Sequence, residues 1–299
     1  MALEGLAVPM LTLFADDGAL DLGRNARFAR GLTDARVDHI FVLGSNGEFP
    51  SVAPNERGPL IDIVAQSATG QTDVWAGCGA PSTAQAVAFA EEAEGLGVAA
   101  LVAVPPYYLH PSMTAVDHYY RELRKATSVP LLAYNNPSLV GYALPPGLVH
   151  TLARDRVIAG MKDSGGSIES IRGFLTGAPE GFVVLPGDPP LASAAIERGA
   201  RGAVMGVSNV LPKLCAELVR AACGGDWTKA HELQPIVDRL VDVAKAGPNP
   251  STLKFLAAEL RGADVGYRAP YEPLTESERS AVLARLEPLR PVFAPFVGP

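Results

Sequence analysis

Lys162 follows the run Val157-Ile-Ala-Gly-Met161, an apolar stretch that reads as wholly buried. Lysine is rarely buried unless something pairs with it or uses it. Desolvation penalises the ammonium form. An amine freed in this way can attack a ketone, and the iminium that results is an electron sink for breaking a neighbouring carbon–carbon bond. The plainer alternatives are a strand-end lysine that snorkels to solvent or pairs with Asp163, and the position alone leaves them open. Tyr134, in Tyr134-Asn-Asn-Pro137, carries a hydroxyl that could relay protons to a carbinolamine and to a substrate hydroxyl. It could equally pack under a loop with that hydroxyl bonded. Gly44-Ser-Asn-Gly-Glu48 is a tight turn whose backbone amides, with the side chains of Ser45 and Asn46, suit a carboxylate, although a glycine turn alone is weak evidence. Ser164 can orient a bound substrate or cap the helix that follows it.

These residues need elements that bring them to one place. Short apolar runs at Leu6–Leu13, His39–Leu43, Asp73–Cys78, Ala99–Val104, Pro130–Tyr134, Val157–Met161, Phe182–Leu185 and Ala203–Val207 read as strands. Most are continuously apolar rather than alternating, as in strands covered on both faces. Helical stretches lie between them at Asn55–Ser67, Ala80–Gly97, Ser112–Ala126, Gly147–Ala153, Ser167–Thr176, Pro190–Arg198 and Pro212–Cys223. The clearest, Ala80–Gly97, repeats Ala86, Phe89, Ala90 and Ala93 at helical spacing and opens with Ser82-Thr-Ala-Gln85. Eight βα units predict an α/β fold, a (β/α)8 TIM barrel over residues 1–224. An open dinucleotide-binding sheet uses the same units, but no GxGxxG follows the first strand. Residues 225–299 read as helices without strands (Trp227–Lys245, Ser251–Leu260, Glu276–Leu286), a C-terminal helical extension packed on the barrel. The joint between the first two, Ala246-Gly-Pro-Asn-Pro250, is a turn. In a barrel, catalytic groups gather where strands end. The exits here are Gly44–Glu48, Pro105-Pro-Tyr-Tyr108, Tyr134–Pro137, Lys162-Asp-Ser-Gly-Gly166 and Pro186-Gly-Asp188, so polar and glycine-rich residues converge on one rim.

Composition narrows the class. At 299 residues, 48% hydrophobic and 19% charged, the chain has ample material for a large core. A net charge of −7 with no basic stripe disfavours a nucleic-acid partner. Cys78, Cys215 and Cys223 form no CxxC and no zinc-spaced cluster; Cys78 and Cys215 sit in apolar surroundings, where buried free thiols in a reducing compartment are expected. Met1-Ala-Leu-Glu-Gly5 lacks the positive start of a secretory leader, and no apolar run reaches the roughly 18 residues of a membrane span. A cytoplasmic protein with no membrane partner is expected. The histidines at 39, 110, 118, 150 and 231 share no ligand spacing, so no metal is expected; chelator sensitivity would revive a metal-dependent aldolase.

The rim sequences, in this order, resemble the dihydrodipicolinate synthase / N-acetylneuraminate lyase family of pyruvate-handling class I aldolases. The resemblance runs from the first strand to Tyr267-Arg-Ala-Pro270. It rests on the combination of a G-[ST]-x-G-E turn, paired tyrosines after two prolines, a Y-N-x-P exit and a lysine after the sixth strand. It implies a cofactor-free, metal-free homotetramer (a dimer of dimers) acting on pyruvate and an aldehyde. By the same resemblance Lys162 is the Schiff-base residue, Tyr134 the proton relay, and Ser45 and Asn46 the hold on the keto-acid carboxylate. Tyr108 reaches across a subunit contact to complete a neighbour's relay, and Gly187 and Val204 line the pyruvate pocket. Synthases of the family usually carry an arginine where this sequence has Leu139, and an aliphatic chain cannot replace a guanidinium fork. They also prefer two threonines where Ser45 and Asn46 stand. Gly44–Pro50, Met161–Gly166, Asn209-Val-Leu211 and Tyr267–Pro270 resemble instead the 4-hydroxy-2-oxoglutarate aldolase branch, which yields pyruvate and glyoxylate. A 2-keto-3-deoxy sugar acid, N-acetylneuraminate or 4-hydroxy-tetrahydrodipicolinate synthesis are the alternatives within the same chemistry. A catalytically silent 2-oxo acid binding protein is the alternative outside it.

Overall fold

The computed structural model describes residues 3–297. Met1 and Ala2, part of the segment read for a leader, lie outside the described residues, as do Gly298 and Pro299. Eight strands form one parallel sheet: β1 (Gly5–Pro9), β2 (His39–Val42), β3 (Asp73–Gly77), β4 (Ala100–Ala103), β5 (Leu131–Asn135), β6 (Gly160–Asp163), β7 (Val183–Pro186) and β8 (Gly202–Val204). Their order, β7-β6-β5-β4-β3-β2-β1-β8, curls into a barrel. The last gap, between β7 and β8, is bridged by the Arg201 amide donating to the Val184 carbonyl at 3.2 Å. With its surrounding helices this is the TIM barrel that the strand count predicts.

The strands are apolar throughout because both faces are covered, and their two-residue period divides the side chains between two cores. Leu6, Val8, Ile40, Val42, Leu101 and Met161 point outward into the layer beneath the helices. Ala7, Phe41, Trp75, Val102, Leu132 and Leu185 fill the lumen. The same alternation decides the fate of Lys162: with Met161 outward, the next residue on β6 must point inward.

The outer layer comprises α1 (Leu22–Asp34), α2 (Pro54–Ser67), α3 (Thr83–Gly95), α4 (Met113–Ala126), the single turn α5 (Pro137–Val140), α6 (Pro146–Arg154), α7 (Ile168–Leu175), α8 (Ala192–Glu197) and α9 (Pro212–Cys223). Asp21, Ser82, Ser112 and Ser167 cap their helices by accepting a backbone amide three residues on. After them come α10 (Trp227–Ala244), α11 (Ser251–Arg261), α12 (Glu276–Leu286) and the turn α13 (Arg290–Phe293). The Thr275/Glu278 capping box forms as spelled. Among the described residues, no helix is long and apolar enough to cross a membrane.

Among the differences from the reading, two strand ends and one helix have a local reason. The ladder of β1 stops at Pro9 rather than Leu13, because side chains take over the pairing. The Leu11 amide donates to Asn209 Oδ1 (3.0 Å) and the Leu13 amide to Asn25 Oδ1 (3.1 Å). Strand β6 begins at Gly160, because Arg156 adopts a left-handed turn (φ 58°) and Val157 closes back on Leu152. Lys162 therefore lies within the strand and not after it. Helix α1 is absent from the sequence reading; its buried face of Ala26, Phe28, Ala29 and Leu32 is interrupted by three arginines.

Candidate active site

Strands β5 and β6 pair in register, Tyr134 opposite Lys162 and Asn135 opposite Asp163. Parallel neighbours point the same way, so Tyr134 and Lys162 enter the lumen side by side, each only 4% exposed. The Lys162 Nζ lies 3.9 Å from the centre of the Tyr134 ring and 5.6 Å from that of Phe41. The outward pair acts as a clamp. Asn135 Nδ2 donates to Asp163 Oδ1 (2.7 Å), the Gly165 amide donates to the same oxygen (3.1 Å), and the Leu144 amide donates to Asn135 Oδ1 (2.9 Å). Burial pushes the Asp163 carboxyl up from its ordinary range. Asp163 thus faces away from Lys162, and the pairing that the sequence left open is not among the ion pairs of the described residues.

Tyr134 is held by several groups. Its hydroxyl accepts from Asn136 Nδ2 at 2.8 Å. Burial raises the phenol, but the Lys162 charge and hydrogen bonds with Lys162, Ser45 and Ser164 outweigh this and hold it below its ordinary value. With Asn136 bonded to it and Lys162, Ser45 and Ser164 lowering its titration, the hydroxyl is placed to give or take a proton. Ser164 does not cap the next helix; Ser167 does so, accepting from the Ser170 amide. The Ser164 amide instead donates to the Asn135 carbonyl (2.8 Å) at the β5 exit.

Gly187 sits where a side chain cannot. A Cβ there would lie 3.0 Å from Lys162 Cε and nearer still to Ser164 Oγ. We expect Gly187→Ala to lower kcat/KM about a hundredfold by displacing the amine, with little change in melting temperature. Steady-state kinetics beside a thermal melt tests this, and near-normal kinetics would show that Lys162 tolerates the shift. Val204 lies in the lumen core that also holds Tyr134.

The Gly44–Glu48 turn closes through the Glu48 amide on the Ser45 carbonyl (3.1 Å) and the Phe49 amide on the Gly44 carbonyl (3.4 Å). Those bonds leave the Ser45 and Asn46 amides outside the turn's own pairing. The Asn46 carboxamide packs on Gly206 after β8, whose hypothetical Cβ would meet it at 3.0 Å. Above the tyrosine a cavity of about 220 Å³ opens between Ser45, Phe49, Val104, Asn136, Leu139 and Tyr271. Leu139, on α5, is 67% exposed at its mouth.

Tyr108 is the one expected site residue that the fold does not bring to this cluster. It is 88% exposed, with a left-handed backbone (φ 75°), and projects away from the chain's own lumen. Its neighbour Tyr107 turns inward, edge-on to Phe49 at 5.9 Å between ring centres. The sequence reading passed over Asn135, Asn136, Glu48 and Lys254 as working parts. The first three stand within the quoted rim motifs, whereas Lys254 gave no signal beyond being a lysine on an otherwise apolar helix face.

Comparison with known proteins covers almost the whole chain. The model of the dihydrodipicolinate synthetase family matches residues 2–289. The chain is 35% identical over 290 residues to an uncharacterized DapA-like lyase of Halobacterium salinarum, covering 97% of this chain and 95% of that protein. It is 33% identical over 291 residues to the 4-hydroxy-tetrahydrodipicolinate synthase of an Azoarcus species, covering 95% and 97%. Its fold is similar to the crystal structure of YagE, a prophage protein of Escherichia coli K12 in complex with pyruvate. That likeness has a TM-score of 0.91 at 26% identity and covers 97% of this chain and 99% of the other.

Proposed function

The chain belongs to the dihydrodipicolinate synthetase family of pyruvate-dependent class I lyases, and we propose that its own reaction cleaves a 4-hydroxy-2-oxo acid, with 4-hydroxy-2-oxoglutarate the first candidate, to pyruvate and glyoxylate. The observation that carries this reading is the buried Lys162 amine 3.9 Å over the Tyr134 ring, the two side chains standing opposite each other on the paired strands β5 and β6. Lys162 Nζ attacks C2, while the Ser45 and Asn46 amides hold the adjacent carboxylate and Ser164 steadies the bound acid. Gly187 and Val204 form the pocket wall. Tyr134 passes a proton to the carbinolamine oxygen, and water leaves to give the iminium. The C4 hydroxyl proton then goes to Tyr134 or to a water it holds; the C3–C4 bond breaks, and its electrons enter the enamine. Protonation at C3 and addition of water release pyruvate and restore the amine. Tyr108, directed outward, would complete the relay of a neighbouring subunit in a homotetramer.

Borohydride reduction in the presence of pyruvate, followed by peptide mass spectrometry, tests the core of the proposal. A pyruvate-sized adduct on Lys162 is expected. A folded protein with no adduct would return the chain to the metal-dependent or silent-binding readings.

A second reading within the family is condensation of pyruvate with aspartate semialdehyde, favoured by the name of the Azoarcus relative. Leu139 lines the mouth of the cavity where this second substrate's carboxylate would need a fork of donors, and the same holds for the carboxylate of glyoxylate, so turnover decides between the two. We expect Leu139→Arg to lower KM for an aldehyde bearing a carboxylate about tenfold, the value of one charge-assisted bond at an exposed site. Wild type turning over aspartate semialdehyde faster than 4-hydroxy-2-oxoglutarate would favour the second reading over the first.

A further inference from the structure

The turn that would receive the substrate carboxylate is gripped from the far end of the chain. Glu48, its last residue, has a left-handed backbone (φ 53°), a conformation that a side chain disfavours and that its surroundings must therefore impose. Its side chain is wholly buried and lies 2.6 Å from the Lys254 ammonium on α11, itself wholly buried. Lys254 also donates to the Gly266 carbonyl (2.8 Å) and lies between the rings of Phe14 (4.9 Å) and Tyr267 (5.2 Å). Burial works against both charges, pushing the carboxyl up and the ammonium down; each is offset by the other, and Arg268 further favours the carboxylate and disfavours the ammonium. The turn has two further holds. Thr12 Oγ1 donates to the Gly47 carbonyl (2.6 Å), and Gly206 packs on Asn46. Of these three holds only Lys254 carries charge.

A buried ion pair seldom adds net stability over well-packed apolar residues. Its location is therefore the informative part: it fixes the residue whose amide closes the turn on Ser45. Resting on the Schiff-base reading above, we propose that Lys254 is a positioning residue. Acting through Glu48, it sets the orientation in which the Ser45 and Asn46 amides meet the carboxylate of the 2-oxo acid. It does not touch the reacting atoms, so its loss weakens capture of the acid and leaves the chemistry at Lys162 intact.

The test measures the pyruvate concentration that half-saturates borohydride trapping, with thermal melts in parallel. The proteins are wild type, Glu48→Gln, Lys254→Met and the Glu48→Gln/Lys254→Met double variant. Lys254→Met is expected to raise half-saturation about tenfold, while trapping at saturating pyruvate still maps to Lys162. Glu48→Gln keeps an amide oxygen for the ammonium and is expected to shift it less than about threefold. The double variant buries no charge and should melt near wild type yet keep the weakened capture; if Lys254→Met does not fold, this protein carries the measurement. Variants that melt lower but match the wild-type half-saturation would show that the pair is structural only and overturn the proposal. Wild type that forms no adduct at all sinks the Schiff-base reading, and this inference with it, so the two failures are told apart.

Discussion

Lys162→Met protein is expected to lose pyruvate release by about ten-thousandfold or more and to form no borohydride-stable adduct. Methionine nearly fills the volume of the lysine stem and lacks only the nucleophile, so the substitution removes the covalent route and leaves the lumen packed. It also replaces a polar amine that is 4% exposed by an apolar side chain, so the melting temperature should hold or rise. The two readouts must diverge: activity collapses while stability does not. Retention of more than about a tenth of the activity would show that the amine is not the nucleophile, because an acid–base group alone is worth far less than the covalent step it serves.

Tyr134→Phe is expected to lower kcat by about a hundred- to a thousandfold, the range for a positioned acid–base group, while trapping of pyruvate on Lys162 survives at longer times. The pH profile supplies the sharper sign. Burial alone would raise the phenol, yet the Lys162 charge and the bonds with Lys162, Ser45 and Ser164 bring it below its ordinary value. As pH rises through that lowered value the phenol loses the proton it must donate, so the alkaline limb of kcat should begin below about pH 10, where an unperturbed tyrosine titrates. Phenylalanine has no such proton, and the variant should lack this limb. A Tyr134→Phe profile that kept the wild-type limb would assign the ionisation to another group.

Much of this site follows from periodicity. Apolar runs at barrel spacing locate the strands, and the rule that side chains alternate turns Met161 outward and Lys162 inward, beside Tyr134 on the next strand. What periodicity cannot give is the bonding that tightens the arrangement. Asn135 and Asp163 point away from the lumen, and only the register of β5 on β6 brings them within 2.7 Å. Lys254 is some two hundred residues from Glu48 in sequence; nothing local to a helix reading Ser-Thr-Leu-Lys-Phe marks its lysine as buried. The end of β1 was equally out of reach, since Asn209 and Asn25 replace the ladder from distant segments. Tyr108 is the opposite case: its sequence motif is plain, yet within one chain its ring meets solvent.

The barrel is a ring of staves with one loose joint. Pairing is continuous from β7 round to β8, and across the remaining gap, among the described residues, the Arg201 amide reaches the Val184 carbonyl. Gly187 and Val204 leave from the two staves beside that joint. On the other side, the clamp of Asn135 on Asp163 locks β5 to β6 and holds the tyrosine against the lysine. The pairing around the lysine is therefore denser than the pairing across the joint. Added bulk on a bound acid is expected to be accommodated first at the β7–β8 joint, where the fewest cross-strand bonds resist it.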